Sequence, residues 1–223
     1  MRRFAVISVR FGSARRWFAI LVLSLLTALS LAIAPAQARN LFATEQTQNL
    51  FVANQSTNTI REFSPTGADL GNFATTGLNG PTGLAFDKRG NLYVSNINDN
   101  TIREFSRTGE DLGNFATTGF IAPALIAFDK RGNLYVTNFG GNTIREFSRT
   151  GVDLGDFATT GLSFPAGVAF DKHGNLYVSN RGDGTIRKFS PSGADLGYFA
   201  TTGMTTPVGL AFSPEPDDQN GDG

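Results

Sequence analysis

The chain has 223 residues, with 19 Lys and Arg, 19 Asp and Glu, and no Cys. The absence of Cys excludes disulfides, thiolate metal sites and a cysteine nucleophile. The charge is balanced and no basic stripe is present, so we expect no nucleic-acid partner.

Residues 1–38 predict a secretory signal peptide. Five Arg residues accompany an uncharged apolar run from Trp17 to Ile33, and Pro35-Ala36-Gln37-Ala38 follows. A basic leader, an apolar core and a small-x-small site are typical of a signal peptide cleaved after Ala38. The alternative is an uncleaved anchor, since the apolar run is near the lower length of a membrane span. Cleavage predicts a secreted or periplasmic chain that is not attached to a membrane.

Residues 49–213 are built from a 42-residue repeat. Its copies begin at Asn49, Asn91, Asn133 and Asn175 without an insertion, and the second and third copies share 30 of 42 residues. A fixed period of this length, without helical spacing, is typical of stacked or radially repeated folds. Residues 39–48 form a lead-in, and the acidic tail at 214–223 is expected to be disordered.

Each repeat contains four short apolar runs separated by turn sequences, which predicts four antiparallel strands. Around the second copy the runs are 83–86, 92–96, 101–105 and 112–116. Gly90 and Gly109 lie in the turns between runs, where a glycine can adopt the positive φ of a tight hairpin. Four short strands in about 40 residues make a propeller blade. The predicted fold class is therefore all-β, a β-propeller of about four four-stranded blades.

The order of the runs raises the question of ring closure. The first copy begins with a second strand, and the last apolar run, 207–212, has the sequence of a first strand. If the ring closes within one chain, that run is expected to complete the first blade, which would remove the open strand edges. The alternatives are a homo-oligomer of partial rings and a truncated chain.

Three sequence segments resemble a known family. They are Pro-x-Gly-Leu-Ala-Phe-Asp at 81–87, Gly-Asn-Leu-Tyr-Val-Ser-Asn at 90–96 and Asn-Thr-Ile-Arg-Glu-Phe at 100–105. They are similar to the NHL-repeat β-propellers and their gluconolactonase and streptogramin-lyase relatives, over residues 49–213. The resemblance implies a propeller. It implies no single activity, because such propellers serve as binding modules and as enzymes.

The repeats differ mainly in two connections of each blade. In a propeller these lie on one face, here called the variable face, while the nearly invariant turns such as Asp-Lys-Arg-Gly lie on the opposite, uniform face. The variable segments are 55–57, 97–99, 139–141 and 181–183 within blades, and 78–80, 120–122, 162–164 and 204–206 between blades. Divergence on one face predicts a binding surface for a protein, peptide or glycan. The alternative is that long loops drift freely in sequence.

The candidate binding residues are the apolar and charged members of these segments. Four of them, Phe120, Ile121, Phe139 and Phe164, are predicted to be exposed apolar contacts. The full set is Ile97, Asp99, Phe120, Ile121, Phe139, Phe164, Arg181 and Asp183.

The second strands end in Asn54, Asn96, Asn138 and Asn180, which are expected to form a ring near the mouth of the central channel. Amide oxygens can ligate a hard cation such as Ca²⁺, and the resemblance implies metal sites of Asn, Asp and Glu in some relatives. Four neutral amides bind Ca²⁺ poorly. Hydrogen-bonding caps on the strand ends are therefore the favoured role. No cofactor is expected, and a divalent cation at this ring is the alternative.

Catalysis has few candidate residues. His173, the sole histidine, replaces an Arg in a uniform turn, and Glu62, Glu104 and Glu146 are repeated strand residues. The resemblance to the lyases implies a proton-transferring histidine, and the resemblance to gluconolactonases implies an asymmetric metal site with a Glu. We find no counterpart of either, so no catalytic residue is predicted. The preferred function is an exported binding or scaffold module. The alternatives are a metal-dependent hydrolase or lyase, and a functionless remnant.

Overall fold

The computed structural model describes residues 48–213, so the predicted signal peptide, the tail and nearly all of the lead-in lie outside it. The chain divides into two units, residues 1–48 and 49–223, and every described strand belongs to the second. No helix in the described range is long and apolar enough to cross a membrane. The strands, in chain order, are β1 (Leu50–Asn54), β2 (Thr59–Phe63), β3 (Asp69–Ala74), β4 (Pro81–Phe86), β5 (Leu92–Asn96), β6 (Thr101–Phe105), β7 (Asp111–Ala116), β8 (Pro123–Phe128), β9 (Leu134–Asn138), β10 (Thr143–Phe147), β11 (Asp153–Ala158), β12 (Pro165–Phe170), β13 (Leu176–Asn180), β14 (Thr185–Phe189) and β15 (Asp195–Ala200).

The strands form four antiparallel sheets, each made of strands that are consecutive in the chain. The sheets are β1 to β3, β4 to β7, β8 to β11 and β12 to β15. Neighbouring sheets pack in chain order, with β1 against β4, β4 against β8, and β8 against β12. One sheet per 42-residue repeat, with hairpin connections inside each sheet, confirms the all-β propeller class.

Aromatic residues at repeated positions join each blade to the next. Tyr135 lies between Phe157 of its own blade and Phe170 of the following blade, and both pairs of ring centroids are 4.9 Å apart. Tyr93 repeats this arrangement with Phe115 and Phe128. All four contacts are edge-to-face, a geometry that adds about 1 kcal/mol per pair beyond the burial of the rings. The aromatic residues at these repeated positions therefore pack the blades against one another.

The expected closure of the ring within one chain is wrong for the described residues. β1 pairs with β2 alone, and residues 207–212 form no strand pairing. The segment 207–212 instead packs on the last sheet, where the Ser179 hydroxyl donates to the Val208 carbonyl at 2.9 Å and Phe212 contacts Tyr177. These contacts hold it at one end of the row of sheets, whereas β1 lies in the sheet at the other end.

Candidate binding face

The two kinds of variable loop lie side by side at one end of each complete blade. The loop after the second strand donates backbone hydrogen bonds to the loop that enters the same blade. These bonds run from Ile97 N to Gly80 O (3.1 Å), Phe139 N to Ala122 O (3.2 Å) and Arg181 N to Phe164 O (3.2 Å). The divergent segments of a blade therefore form one surface, as the repeat comparison predicts.

The asparagines that end the second strands hold these loops in place. The side-chain oxygen of Asn138 accepts the backbone N–H of Ile121 at 2.6 Å, and its amide group donates to Gly119 O at 3.3 Å. Asn96 and Asn180 make the equivalent bonds with their own loops. All three side chains are buried. Each therefore acts as a cap between the end of a strand and the loop entering its blade.

A cation at the ring of asparagines stays a prediction. In three of the four copies the amide oxygen that would ligate it already accepts a backbone N–H. Between residues 48 and 213, no group of three or more His, Asp and Glu side chains is arranged to hold a metal ion. A cation at the ring would therefore have to share three amide oxygens with existing hydrogen bonds.

A second set of asparagines was missed by the sequence reasoning. Asn100 and Asn142 adopt left-handed conformations, with φ of 57° and 54°, and Asn58 does the same. Their side-chain oxygens accept backbone N–H groups 22 residues away: Asn100 from Ala122 at 2.7 Å, and Asn142 from Phe164 at 2.6 Å. The recurring Asn-Thr-Ile sequence is the signal, because asparagine tolerates this conformation better than most residues.

An aromatic patch occupies part of the variable face. The rings of Phe139 and Phe164 lie 5.3 Å apart, and the Arg181 guanidinium lies 6.0 Å from the centre of the Phe139 ring. Ile121 adjoins them, since its carbonyl accepts the N–H of Gly140 at 2.8 Å. The side chain of Phe164 is 47% exposed and that of Ile121 is 61% exposed. We call Ile121, Phe139, Phe164 and Arg181 the aromatic patch.

Phe164 is held in a strained backbone conformation. Its φ is 45°, in the left-handed region, where a bulky side chain is an outlier. The equivalent positions are Ala122, with φ of 55°, and Gly80, with φ of 64°. Glycine adopts this conformation freely, whereas a residue with a side chain loses about 1–2 kcal/mol there. Strain of this kind is often found at functional sites.

The remaining predicted contacts lie outside the aromatic patch. Phe120 was expected to be exposed, but this is wrong: it is 8% exposed and packs on Phe147 with ring centroids 5.2 Å apart. Asp99 and Asp183 are exposed, and each accepts the hydroxyl of the threonine two residues later. Ile97 is half-buried. The structure thus assembles four of the eight predicted residues into one surface.

Ion pairs support the loops that enter the blades. Arg145 makes two hydrogen bonds to Asp153, at 2.9 and 2.7 Å, and a side chain added at Gly119 would meet the guanidinium. Equivalent pairs join Arg103 to Asp111 and Arg187 to Asp195. Hydrogen bonding to Arg145 holds the pKa of Asp153 below its ordinary value of 3.8. The backbone of this loop at Gly119 therefore packs against a charged pair of the blade that the loop enters.

The uniform face contains two clefts between neighbouring blades, with volumes of about 700 and 610 Å³. The larger is lined by Tyr135, Glu146 and His173, among others, and the Tyr135 hydroxyl donates to Glu146 at 2.7 Å. Burial and this bond raise the pKa of Tyr135. In the smaller cleft Arg131 occupies the position of His173. Sequence reasoning missed these clefts because they lie between uniform turns of successive repeats.

These features define a repeated β-propeller with one variable face. The NHL repeat family model matches residues 162–189. No curated protein sequence matches the chain significantly. Together with the similar solved structures, the repeat match shows that the chain is an NHL-type β-propeller.

Solved structures of low sequence identity share the fold. A chain of a nidogen/laminin complex has 21% identity and a TM-score of 0.66, over 74% of this chain and 64% of that chain. A catalytically inactive virginiamycin B lyase from Staphylococcus aureus, solved with quinupristin, has 17% identity and a TM-score of 0.59, over 74% of this chain and 56% of that one. This chain thus spans less than two thirds of either length. Propellers with different roles share its architecture.

Proposed function

We propose that this protein is an exported binding or scaffold module that recognises a protein, peptide or glycan through its variable face. The observation that carries the proposal is Phe164, an aromatic residue in a left-handed conformation with nearly half of its side chain exposed. Folding does not require phenylalanine at this position, because the first copy uses Gly80. A residue that costs stability and lies at the surface is best explained by binding.

The chemistry of the aromatic patch indicates the kind of ligand. Phe139, Phe164 and Ile121 offer an apolar surface, and Arg181 adds a planar cation able to form paired hydrogen bonds. Aromatic residues and arginine are the side chains most enriched at binding hot spots. The patch fits a ligand with an apolar face, such as a side chain or a sugar ring, beside an acidic or polar group.

The support beneath the patch favours tight binding. Asn142 holds the backbone of Phe164, and Asn138 holds that of Ile121. Loops that are already ordered lose little conformational entropy when a ligand binds. The nidogen/laminin structure contains a propeller of this fold in a protein complex, which is consistent with a binding role. The signal peptide predicted at 1–38 would direct the module out of the cytoplasm.

The test uses panels of immobilised glycans and peptides with purified protein. Phe164→Gly removes the ring and the strain together, so this variant is expected to remain folded, and Arg181→Ala removes the cation. Each is expected to weaken binding of a selected ligand at least tenfold. The matched control is Arg131→Ala on the uniform face, which should leave affinity unchanged. The proposal would be contradicted if no glycan or peptide in the panels binds. It would also be contradicted if neither variant changes the affinity for the selected ligand.

A hydrolase or lyase acting on the uniform face is the second candidate. It is favoured by the larger cleft, where Tyr135, Glu146 and His173 lie around the same space. Lactone hydrolysis measured with and without added divalent cations tests it. His173→Arg, which reproduces the residue at this position in the neighbouring cleft, should abolish the activity, whereas Phe164→Gly should not. An activity that survives His173→Arg would exclude this cleft.

A further inference from the structure

The first sheet has an open edge. β1 is hydrogen-bonded to β2 alone, while in the three other sheets the corresponding edge is covered by β4, β8 or β12. Leu50 on this edge is 62% exposed. Open edges with apolar side chains invite pairing with another strand. This position is therefore ready to accept a first strand.

The segment 207–212 has the sequence of a first strand but is paired with no neighbouring strand. Its sequence, Pro-Val-Gly-Leu-Ala-Phe, matches β4 at five of six positions, and it forms no strand pairing. Its place on the last sheet is nevertheless that of a first strand. The bond from the Ser179 hydroxyl to Val208 O, at 2.9 Å, repeats the bond from the Thr137 hydroxyl to Ala166 O in the preceding blade, also at 2.9 Å. The segment is thus positioned as the start of a further blade.

Gly209 adds an independent observation. At Gly83 and Gly167, the equivalent positions, an added Cβ would collide with the backbone carbonyl of the next first strand, at Ala124 and Val208 respectively. Around Gly209 nothing lies within 4 Å of that position. Because β8 has Leu125 at this position, glycine permits this close approach and is not required for it. Gly209 therefore leaves the same room for a neighbouring first strand as Gly83 and Gly167 do, at a place where the described chain supplies none.

We propose that residues 207–212 of one copy pair with β1 of a second copy of this chain, so that two copies are joined head to tail. The register follows from β4 and β5, where Leu84 is opposite Val94 and Phe86 is opposite Leu92. The equivalent pairs between copies are Leu210 with Val52, and Phe212 with Leu50. The same placement brings β4 of the second copy against Gly209.

The occupant is a second copy because one chain carries both halves of the blade. Within residues 48–213, the three strands of the first sheet have no first strand, and 207–212 has the sequence and the place of a first strand but no strand partner. Two copies can each supply the first strand that the other lacks, which turns a head-to-tail contact into a closed ring.

Cysteine cross-linking tests the register directly, since the natural chain has no Cys. A size-tagged Val52→Cys protein is mixed with an untagged Leu210→Cys protein, unfolded, refolded together and oxidised. A disulfide between tagged and untagged chains is expected, with the mass of two chains in light scattering. The matched control replaces Val52→Cys by Ala53→Cys, whose side chain lies on the other face of the strand, and should link at least tenfold less.

Two results would overturn the proposal. In the double variant Val52→Cys with Leu210→Cys, a disulfide within a single chain would show that the ring closes without a partner. Equal linking of the Val52 and Ala53 variants, or a single-chain mass together with no linking, would show that β1 does not pair with 207–212 of another copy. Circular dichroism of each variant establishes that the sheets are folded.

Discussion

The turns of the uniform face are held by side chains of the same turn. The loops of the variable face are held by side chains from distant positions in the chain. In the uniform turns the bonds are local: the Asp87 carboxylate accepts the N–H groups of Arg89 and Asn91, at 2.8 and 2.9 Å. On the variable face the hydrogen bonds join residues that are 17 or 22 positions apart. The N–H of Ile121 donates to Asn138, and the N–H of Phe164 donates to Asn142. A turn that is stabilised by its own side chains must keep those residues. A loop whose backbone is held by side chains of another segment can change its own side chains.

This difference explains why divergence is confined to one face. Asp, Gly and Ser in the uniform turns are required by the turn geometry itself. The variable loops take their backbone conformation from buried asparagines on the strands, so their outward side chains are released from a structural role. The sequence of these loops can therefore change either by neutral drift or by selection for binding. The strained Phe164 is the observation that favours selection for binding.

The largest expected effect is the loss of a buried cap on the variable face. Asn138→Ala leaves the N–H of Ile121 and the carbonyl of Gly119 without their partner, and unfolding free energy should fall by about 3 kcal/mol. The control, Asp129→Ala in a uniform turn, removes bonds to Arg131 and Asn133 near solvent and should cost about 1 kcal/mol. Urea unfolding measures both. Equal losses would remove the distinction between the faces.

An intermediate effect is expected from acid. The folded-state pKa of Asp153 is lowered by Arg145, so this pair contributes stability above the unfolded pKa of 3.8 and loses it as pH falls toward the lower folded value. Urea unfolding at a series of pH values from about 6 downward should show that Asp153→Asn is less stable than the natural protein by about 1 kcal/mol at the upper end, and that this difference shrinks as the pH falls below 3.8. A difference independent of pH would show that the charge of Asp153 is not what supports the loop.

The smallest effect concerns backbone strain on the variable face. Ala122→Gly relieves a left-handed conformation and should raise the unfolding free energy by about 0.5 kcal/mol. Ala127→Gly, in β8 where φ is negative, should instead lower it by a similar amount. Thermal unfolding compares the two. Destabilisation by Ala122→Gly would mean that the methyl group makes a contact worth more than the strain.

The repeat made much of this fold predictable. The 42-residue period and four apolar runs per copy correctly predicted the strands, and the comparison of copies correctly separated the variable loops from the uniform turns. The capping role of Asn96, Asn138 and Asn180 followed from their places at strand ends. Each of these conclusions depends on patterns that the linear sequence contains, within one copy or between copies.

Other features depended on contacts across blades. Phe120 and Ile121 are adjacent and both apolar, yet one packs on Phe147 and the other is exposed. Side chains in an irregular loop have no period that predicts their direction. The backbone N–H of Ala122 donates to the side chain of Asn100, 22 residues away, and the clefts of the uniform face lie between repeats. The short-range pattern of the repeat predicts none of these features.

The sequence by itself determined the repeating unit, its four strands and which loops could diverge, because hydrophobic period and turn chemistry act over a few residues. The tertiary structure decided which divergent residues meet in the aromatic patch, and that 207–212 packs on the last sheet while β1 stays open. Those outcomes depend on how successive sheets pack against one another, and packing is set by the sum of many contacts between blades.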